Sequence, residues 1–254
     1  MKFYILKEIK SNSWHENEFL TFSSDYDRSE NDPLYPKLDF NHAPFCPLCH
    51  RKLRVYQHSP LRREIHLAKP YYADVSFSHR SLYCTSRFRN LYIQHPDFKG
   101  IEQFRKIDIL KVYTHNGVRK AQLPPLPEFY MVDVVVDGAA VDFKKSKAVL
   151  RPPIEPVCKF CKKSLGKNGG LSMIKHSGLY IDVSNWNNND IFYLVGIGNT
   201  IAVTDKFKEF INDNHLTVNF TFCSESEVSG DLGMYDYYVK KYGQEGLRYD
   251  LDEP

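Results

Sequence analysis

Six cysteines stand at positions 46, 49, 84, 158, 161 and 223, and four of them form two Cys-x-x-Cys pairs, Cys46/Cys49 in FCPLC and Cys158/Cys161 in VCKFC. Thiolates two residues apart on a tight turn occupy two corners of a tetrahedron, and two such turns complete the four-sulfur shell that Zn²⁺ prefers. The spacing predicts one structural zinc ion held by Cys46, Cys49, Cys158 and Cys161. Sulfur at every corner leaves no position for water or substrate, so the expected role is a clamp, not Lewis-acid catalysis. Because 108 residues separate Cys49 from Cys158, the clamp ties together distant parts of the chain, and closing a long loop costs little more than closing a short one. The competing readings are buried inert thiols and a redox pair. The redox pair fits poorly, since neither motif follows a thioredoxin-like strand and opens a helix. His50 adjoins Cys49 as an alternative ligand, although neighbours in such a knuckle usually point away from the metal. Cys84 and Cys223 lie in apolar, strand-like segments and read as buried thiols.

Other chemistry finds little purchase. The chain has no G-x-S-x-G elbow, no H-E-x-x-H and no Walker loop; GIGNT at 196–200 lacks the lysine and the phosphate-binding spacing. His176 near Asp182 is the kind of pair any long chain supplies. The expectation is therefore that the protein is not an enzyme. With 34 Lys+Arg against 31 Asp+Glu, the net charge of +3 creates no strong field for a polyanion. The basic stretches 51–54, 62–63 and 144–147 are short and read as solvated faces more readily than as a nucleic-acid groove. No segment approaches the ~20 apolar residues of a membrane span, and residues 1–10 alternate apolar and charged instead of forming a signal-peptide core. The expectation is a cytoplasmic protein with reduced cysteines.

The elements that must position the cysteines are mostly strands. Residues 2–9 read as a strand buried on both faces, and 11–43 as polar loop. Residues 81–84 form a strand running into Thr85-Ser86, good helix caps, and then a helix with Phe88, Leu91 and Tyr92 on one face, ending near His95-Pro96. Residues 107–114 and 118–123 flank Asn116-Gly117 as a hairpin, and 130–136 and 140–143 flank Asp137-Gly138 as a second. A strand at 200–203 leads into Thr204-Asp205 and a helix whose Phe207, Phe210 and Ile211 share a face. A further strand spans 218–223, and a short helix fits 235–242.

Setting Thr85 on Thr204 aligns Phe88 with Phe207 and Leu91-Tyr92 with Phe210-Ile211 at an offset of 119, while the two cysteine pairs repeat at an offset of 112. The order metal half-site, strand, capped helix thus occurs twice, as a duplication or as two capped helices alike by chance. The predicted fold is α+β and strand-rich, with two related sheet-plus-helix halves tied by a Cys₄ zinc-ribbon-like site. The first half spans 1–150 and the second 151–254, either separate or integrated into one domain.

The succession FCPLCH, a long middle, RPPIEPVCKFCKKSLG and LYIDVSNWNNNDIFYLVGIGNTIAVTDKFKEFINDNHLTVNF resembles the double-CXXCG-motif family, over nearly the whole chain. Asp182 and Ser184, the Asp-Ile-Phe-Tyr-Leu run and the Thr-x-Lys-Phe helix carry most of the likeness. The glycine that follows each cysteine pair in the family is His50 and Lys162 here, so other residues must make the turn it eases. Myxobacterial members are described as immunity proteins that protect a cell from a kin-delivered swarming-inhibition toxin. The resemblance implies zinc at the four cysteines and a cognate toxin protein as partner, with acidic segments at 231–236 and 250–253 available to steer a basic toxin. The alternative is a zinc-ribbon nucleic-acid-binding protein, which would bind in a salt-dependent way.

Overall fold

The computed structural model describes residues 1–9, 38–39, 44–54, 56–57, 62–78, 81–115, 117–152, 156–166, 173–231, 235–244 and 247. The protein is α+β and strand-rich. Its strands are β1 (Phe3–Glu8), β2 (Leu38–Asp39), β3 (Tyr56–Gln57), β4 (Arg62–Leu67), β5 (Val75–Ser78), β6 (Ser81–Thr85), β7 (Ile101–Thr114), β8 (Phe129–Val134), β9 (Val136–Val141), β10 (Val149–Leu150), β11 (Met173–His176), β12 (Ile181–Asp182), β13 (Ile191–Val195), β14 (Ile201–Thr204), β15 (Phe220–Ser224) and β16 (Gly230–Asp231). The helices are α1 (Ser86–Gln94), α2 (Asp205–Asp213) and α3 (Tyr235–Tyr242). Among the described residues no helix is long and apolar enough to cross a membrane.

Two sheets carry the architecture. One has the order β4-β7-β8-β6-β5, the other β12-β9-β13-β14-β1-β15, and a small β10-β11-β16 sheet and a β2-β3 pair complete the set. The run β5-β6-β8-β7 in the first matches β13-β14-β1-β15 in the second, strand for strand and antiparallel throughout. Register agrees too: Thr85 pairs with Phe129 as Thr204 pairs with Phe3, and Phe104 pairs with Val132 as Phe222 pairs with Leu6. The halves are therefore related, with one permutation. The strand equivalent to β8, which follows β7 in the first half, is β1 in the second, so the second half is completed by the N-terminus. The six-stranded sheet consequently draws strands from both 1–150 and 151–254.

The two halves pack as the partners of a symmetric dimer do, equivalent surface on equivalent surface. Phe88 of α1 meets its own counterpart, Phe207 of α2, with ring centroids 6.3 Å apart, inside a core that also buries Leu6, Val132, Ile191 and Val203. Asp74, buried before β5, accepts from the Thr85 hydroxyl at 3.2 Å and from Arg87 at 2.8 Å. Asp190, buried before β13, accepts from Thr204 at 3.1 Å and lies 3.5 Å from Lys206 Nζ. Each aspartate also takes a backbone N–H from the opposite half, Thr217 for Asp74 and Lys99 for Asp190. Arg87 and Lys206 cross over likewise, to the carbonyls of Asn214 and Asp97, both at 2.8 Å.

Both expected hairpins fail. β7 runs as fourteen residues between β4 and β8, and 120–122 form a 3₁₀ turn where a returning strand was expected. β8 and β9 are nearly contiguous but belong to different sheets, and Asp137-Gly138 lies within β9. The Asp137 carboxylate accepts from the N–H groups of Ala139 and Asn187, and a Cβ at residue 138 would stand 2.0 Å from the Asn185 carbonyl oxygen. The pair serves close approach of a neighbouring loop, not chain reversal. Most of residues 11–43, read as loop, lie outside the described residues, as do 250–253.

Candidate metal centre

Each cysteine pair sits on a knuckle built by backbone hydrogen bonds. In the first, Cys46 N–H donates to the Arg51 carbonyl (2.8 Å), His50 N–H to that of Cys46 (3.0 Å) and Leu53 N–H to that of Pro44 (2.7 Å). The second repeats this frame: Cys158 N–H to Lys163 (2.9 Å), Lys162 N–H to Cys158 (2.9 Å) and Leu165 N–H to Pro156 (2.7 Å). The turn that a glycine would ease is made by His50 and Lys162 themselves, both at φ 56° in the left-handed region.

The knuckles face each other. Arg51 reaches across to the carbonyls of Ser164 and Gly166, and its counterpart Lys163 reaches back to the Lys52 carbonyl at 2.6 Å. Below them Ala140 of β9 and Val195 of β13 floor a small apolar cluster with the cysteines, so two adjacent interior strands of the six-stranded sheet seat both turns. All four sulfurs come together: they lie within 4.8 Å of one another, Cys46 3.7 Å from Cys158 and Cys49 3.4 Å from Cys161. A tetrahedron with metal–sulfur bonds of about 2.3 Å has edges of about 3.8 Å, so the shell is close to the size such an ion needs.

Electrostatics point the same way. Cys46 and Cys161 are fully buried, Cys158 nearly so and Cys49 partly exposed. Burial works to raise the Cys46 thiol, but the N–H groups of Cys49 and Leu48 directed at its sulfur, together with the Cys49 and Cys158 thiols, outweigh it and bring the pKa to about 7. Burial raises Cys49, and it pushes Cys161 far above the ordinary thiol range, with the neighbouring sulfurs of Cys49 and Cys158 adding to the rise. Four thiolates cannot share this space without a cation, and a divalent ion would still leave a charge of about −2. The two knuckle segments, 44–54 and 156–166, contain Arg51, Lys52, Arg54, Lys159, Lys162 and Lys163 and neither aspartate nor glutamate, which suits that residual charge. The cluster is a candidate metal centre with the four ligands expected.

The remaining candidates disperse. Cys84 is buried in β6 with its thiol held well above the ordinary value by that burial, and Cys223 lies on β15; neither joins the cluster. His176 Nδ1 lies 2.9 Å from the Gly178 carbonyl oxygen, while Asp182 accepts from Ser184, so that pair has separate partners. Reading the sequence alone misses Arg51 and Lys163 as cross-links, whose only signal is their equal place two residues after each second cysteine. No family model matches the chain, and no curated protein matches it.

Proposed function

We propose that this is a non-catalytic, cytoplasmic immunity protein that binds and neutralises a cognate antibacterial toxin, on a scaffold whose two halves are fastened by one structural zinc ion. The observation that carries the metal reading is the convergence of Cys46, Cys49, Cys158 and Cys161 to within 4.8 Å. Zinc is the ion that four cysteines in a closed tetrahedron suit best. The toxin-binding role is supported by the resemblance to the double-CXXCG-motif family and by the doubled build of the chain, knuckle against knuckle and helix against helix. Such a role needs a rigid surface complementary to a protein and no reacting groups. A second reading, nucleic-acid binding, is favoured by one observation: six cations and no acid in the knuckle segments.

The test takes the purified chain, measures its metal by elemental analysis and recovers its partner from native lysate. A single stoichiometric protein that arrests growth when expressed alone, and is silenced when co-expressed with this chain, is the expected result, alongside about one zinc per chain. Recovery of nucleic acid that washes off with salt would favour the second reading.

A further inference from the structure

Equivalent cysteines face each other across the pseudo-two-fold axis, 3.7 Å for Cys46 and Cys158 and 3.4 Å for Cys49 and Cys161. Both contacts join the halves, and neither lies within a knuckle. We propose that the centre is also an oxidation site, at which a peroxide converts the four thiolates into two inter-half disulfides, Cys46–Cys158 and Cys49–Cys161, that keep the halves fastened after the metal leaves. This rests on the metal reading of the same centre. Each disulfide forms as a thiolate pair gives two electrons to one peroxide, whose O–O bond breaks and, with protons from solvent, ends as two waters. Two peroxides and four protons thus consume the centre and release one divalent cation.

Geometry sets the pairing. A disulfide needs about 2.0 Å between sulfurs, so each cross pair must close by about 1.5 Å, and one rigid approach of knuckle to knuckle shortens both. That approach leaves the backbone frame of each knuckle intact and follows the direction already held by Arg51 on the Ser164 and Gly166 carbonyls and by Lys163 on that of Lys52. Pairing within a knuckle would instead give up both facing contacts, Cys46 with Cys158 and Cys49 with Cys161. Entry is also defined: Cys49 is the ligand with most exposure. Its thiolate attacks the peroxide to give a sulfenic acid and hydroxide, and Cys161, 3.4 Å away, displaces a second hydroxide to close the bond.

The experiment uses the full chain as purified, with metal measured first. Hydrogen peroxide is added stepwise, free thiols are alkylated, and the unreduced tryptic digest is read by mass spectrometry. Trypsin cuts after Lys159 and Lys162 and so separates Cys158 from Cys161, whereas Cys46 and Cys49 stay on one peptide. The expected product is three peptides held by two disulfides, appearing in step with metal release, while Cys84 and Cys223 remain alkylated. In the variant Cys46→Ser/Cys158→Ser the remaining cross pair, 3.4 Å apart, should close, and in Cys46→Ser/Cys161→Ser the remaining diagonal pair should close more slowly than that facing pair. A looped Cys46/Cys49 peptide with Cys158 joined to Cys161, or sulfinic acid at Cys49 without cross-linked peptides, would overturn the proposal. Protein purified without metal would instead overturn the metal reading, and the pairing is then read on the reduced chain by the same digest.

Discussion

His50 and Lys162 hold the left-handed backbone of the knuckles at φ 56° with a Cβ in place, a conformation that costs an L-residue roughly 1–2 kcal/mol and glycine almost nothing. His50→Gly should therefore raise stability by about 0.5–1 kcal/mol after the entropy glycine adds to the unfolded chain is subtracted. Thermal unfolding of the metal-loaded protein checks it, and a lower midpoint would mean that the His50 side chain contributes more than its backbone costs. The four clustered cysteines were legible in the sequence as one set because their spacing is local and few other chemistries use it. Arg51 and Lys163 were not, because in sequence they are members of ordinary charge runs, and only the facing of two segments more than 100 residues apart gives them carbonyls to bind.

At the scale of single elements the two capped helices look alike but are held differently. The Thr204 hydroxyl donates to Asp190 and also accepts from Phe207 N–H at 3.3 Å, capping α2, whereas Thr85 donates to Asp74 and makes no cap bond to α1. Thr204→Ala should therefore cost about 1 kcal/mol more than Thr85→Ala, the worth of one N-cap, and equal losses in denaturant unfolding would contradict the assignment. β11 supplies a pH dependence. Burial holds His176 neutral, its pKa below the ordinary value of about 6.5, partly opposed by the carbonyls of Gly178 and Val228. The unfolded chain then binds the proton more readily, so this contribution is intact above about pH 6.5 and is lost as pH falls through the folded value. Glu225, raised by its own burial, acts in the opposite sense above its ordinary range, so the comparison that isolates His176 is unfolding of the native chain against His176→Gln between pH 7.5 and 5. The variant should lose the acid-side decline. Helices and central strands were legible because burial imposes clear periods on them. The hairpins were not: at Gly138 the Asn185 carbonyl claims the glycine, whereas at Gly117 the chain does turn, at φ 78° with Val118 N–H on the His115 carbonyl, but a 3₁₀ turn follows in place of a returning strand.

For the molecule as a whole, the doubled pattern of knuckle, strand and helix was visible in the sequence, but the permutation was not, because nothing local tells the first strand that its neighbours are β14 and β15 of the second half. Two fasteners follow from that topology. The proposed metal would be one: structural zinc binding is worth on the order of 10 kcal/mol or more, comparable with the whole net stability of a domain. A strong chelator should lower the melting midpoint by more than ~20 °C, at 2–4 °C per kcal/mol for a chain of this size, and an unmoved midpoint would remove the clamp.

The N-terminal strand is the other fastener. β1 lies between β14 and β15, with Ile5 buried in the core on one face of the sheet and Leu6 in the core on the other, each 3% exposed. Deleting residues 1–9 would strip the ladder from both neighbours and open two cavities, each worth about 2–5 kcal/mol by the cost of a buried aliphatic truncation. A terminal segment that lies on the surface could be lost without such effect. The second half should therefore lose protection from hydrogen exchange in β14 and β15 on deletion. Because the equivalent β8 is supplied internally, β5 and β6 should keep more of theirs. A synthetic peptide of residues 1–9, added in excess, should restore protection in β14 and β15 by reoccupying the vacant place. Restoration by a peptide carrying Ile5→Asp and Leu6→Asp would show instead that the effect is not strand insertion.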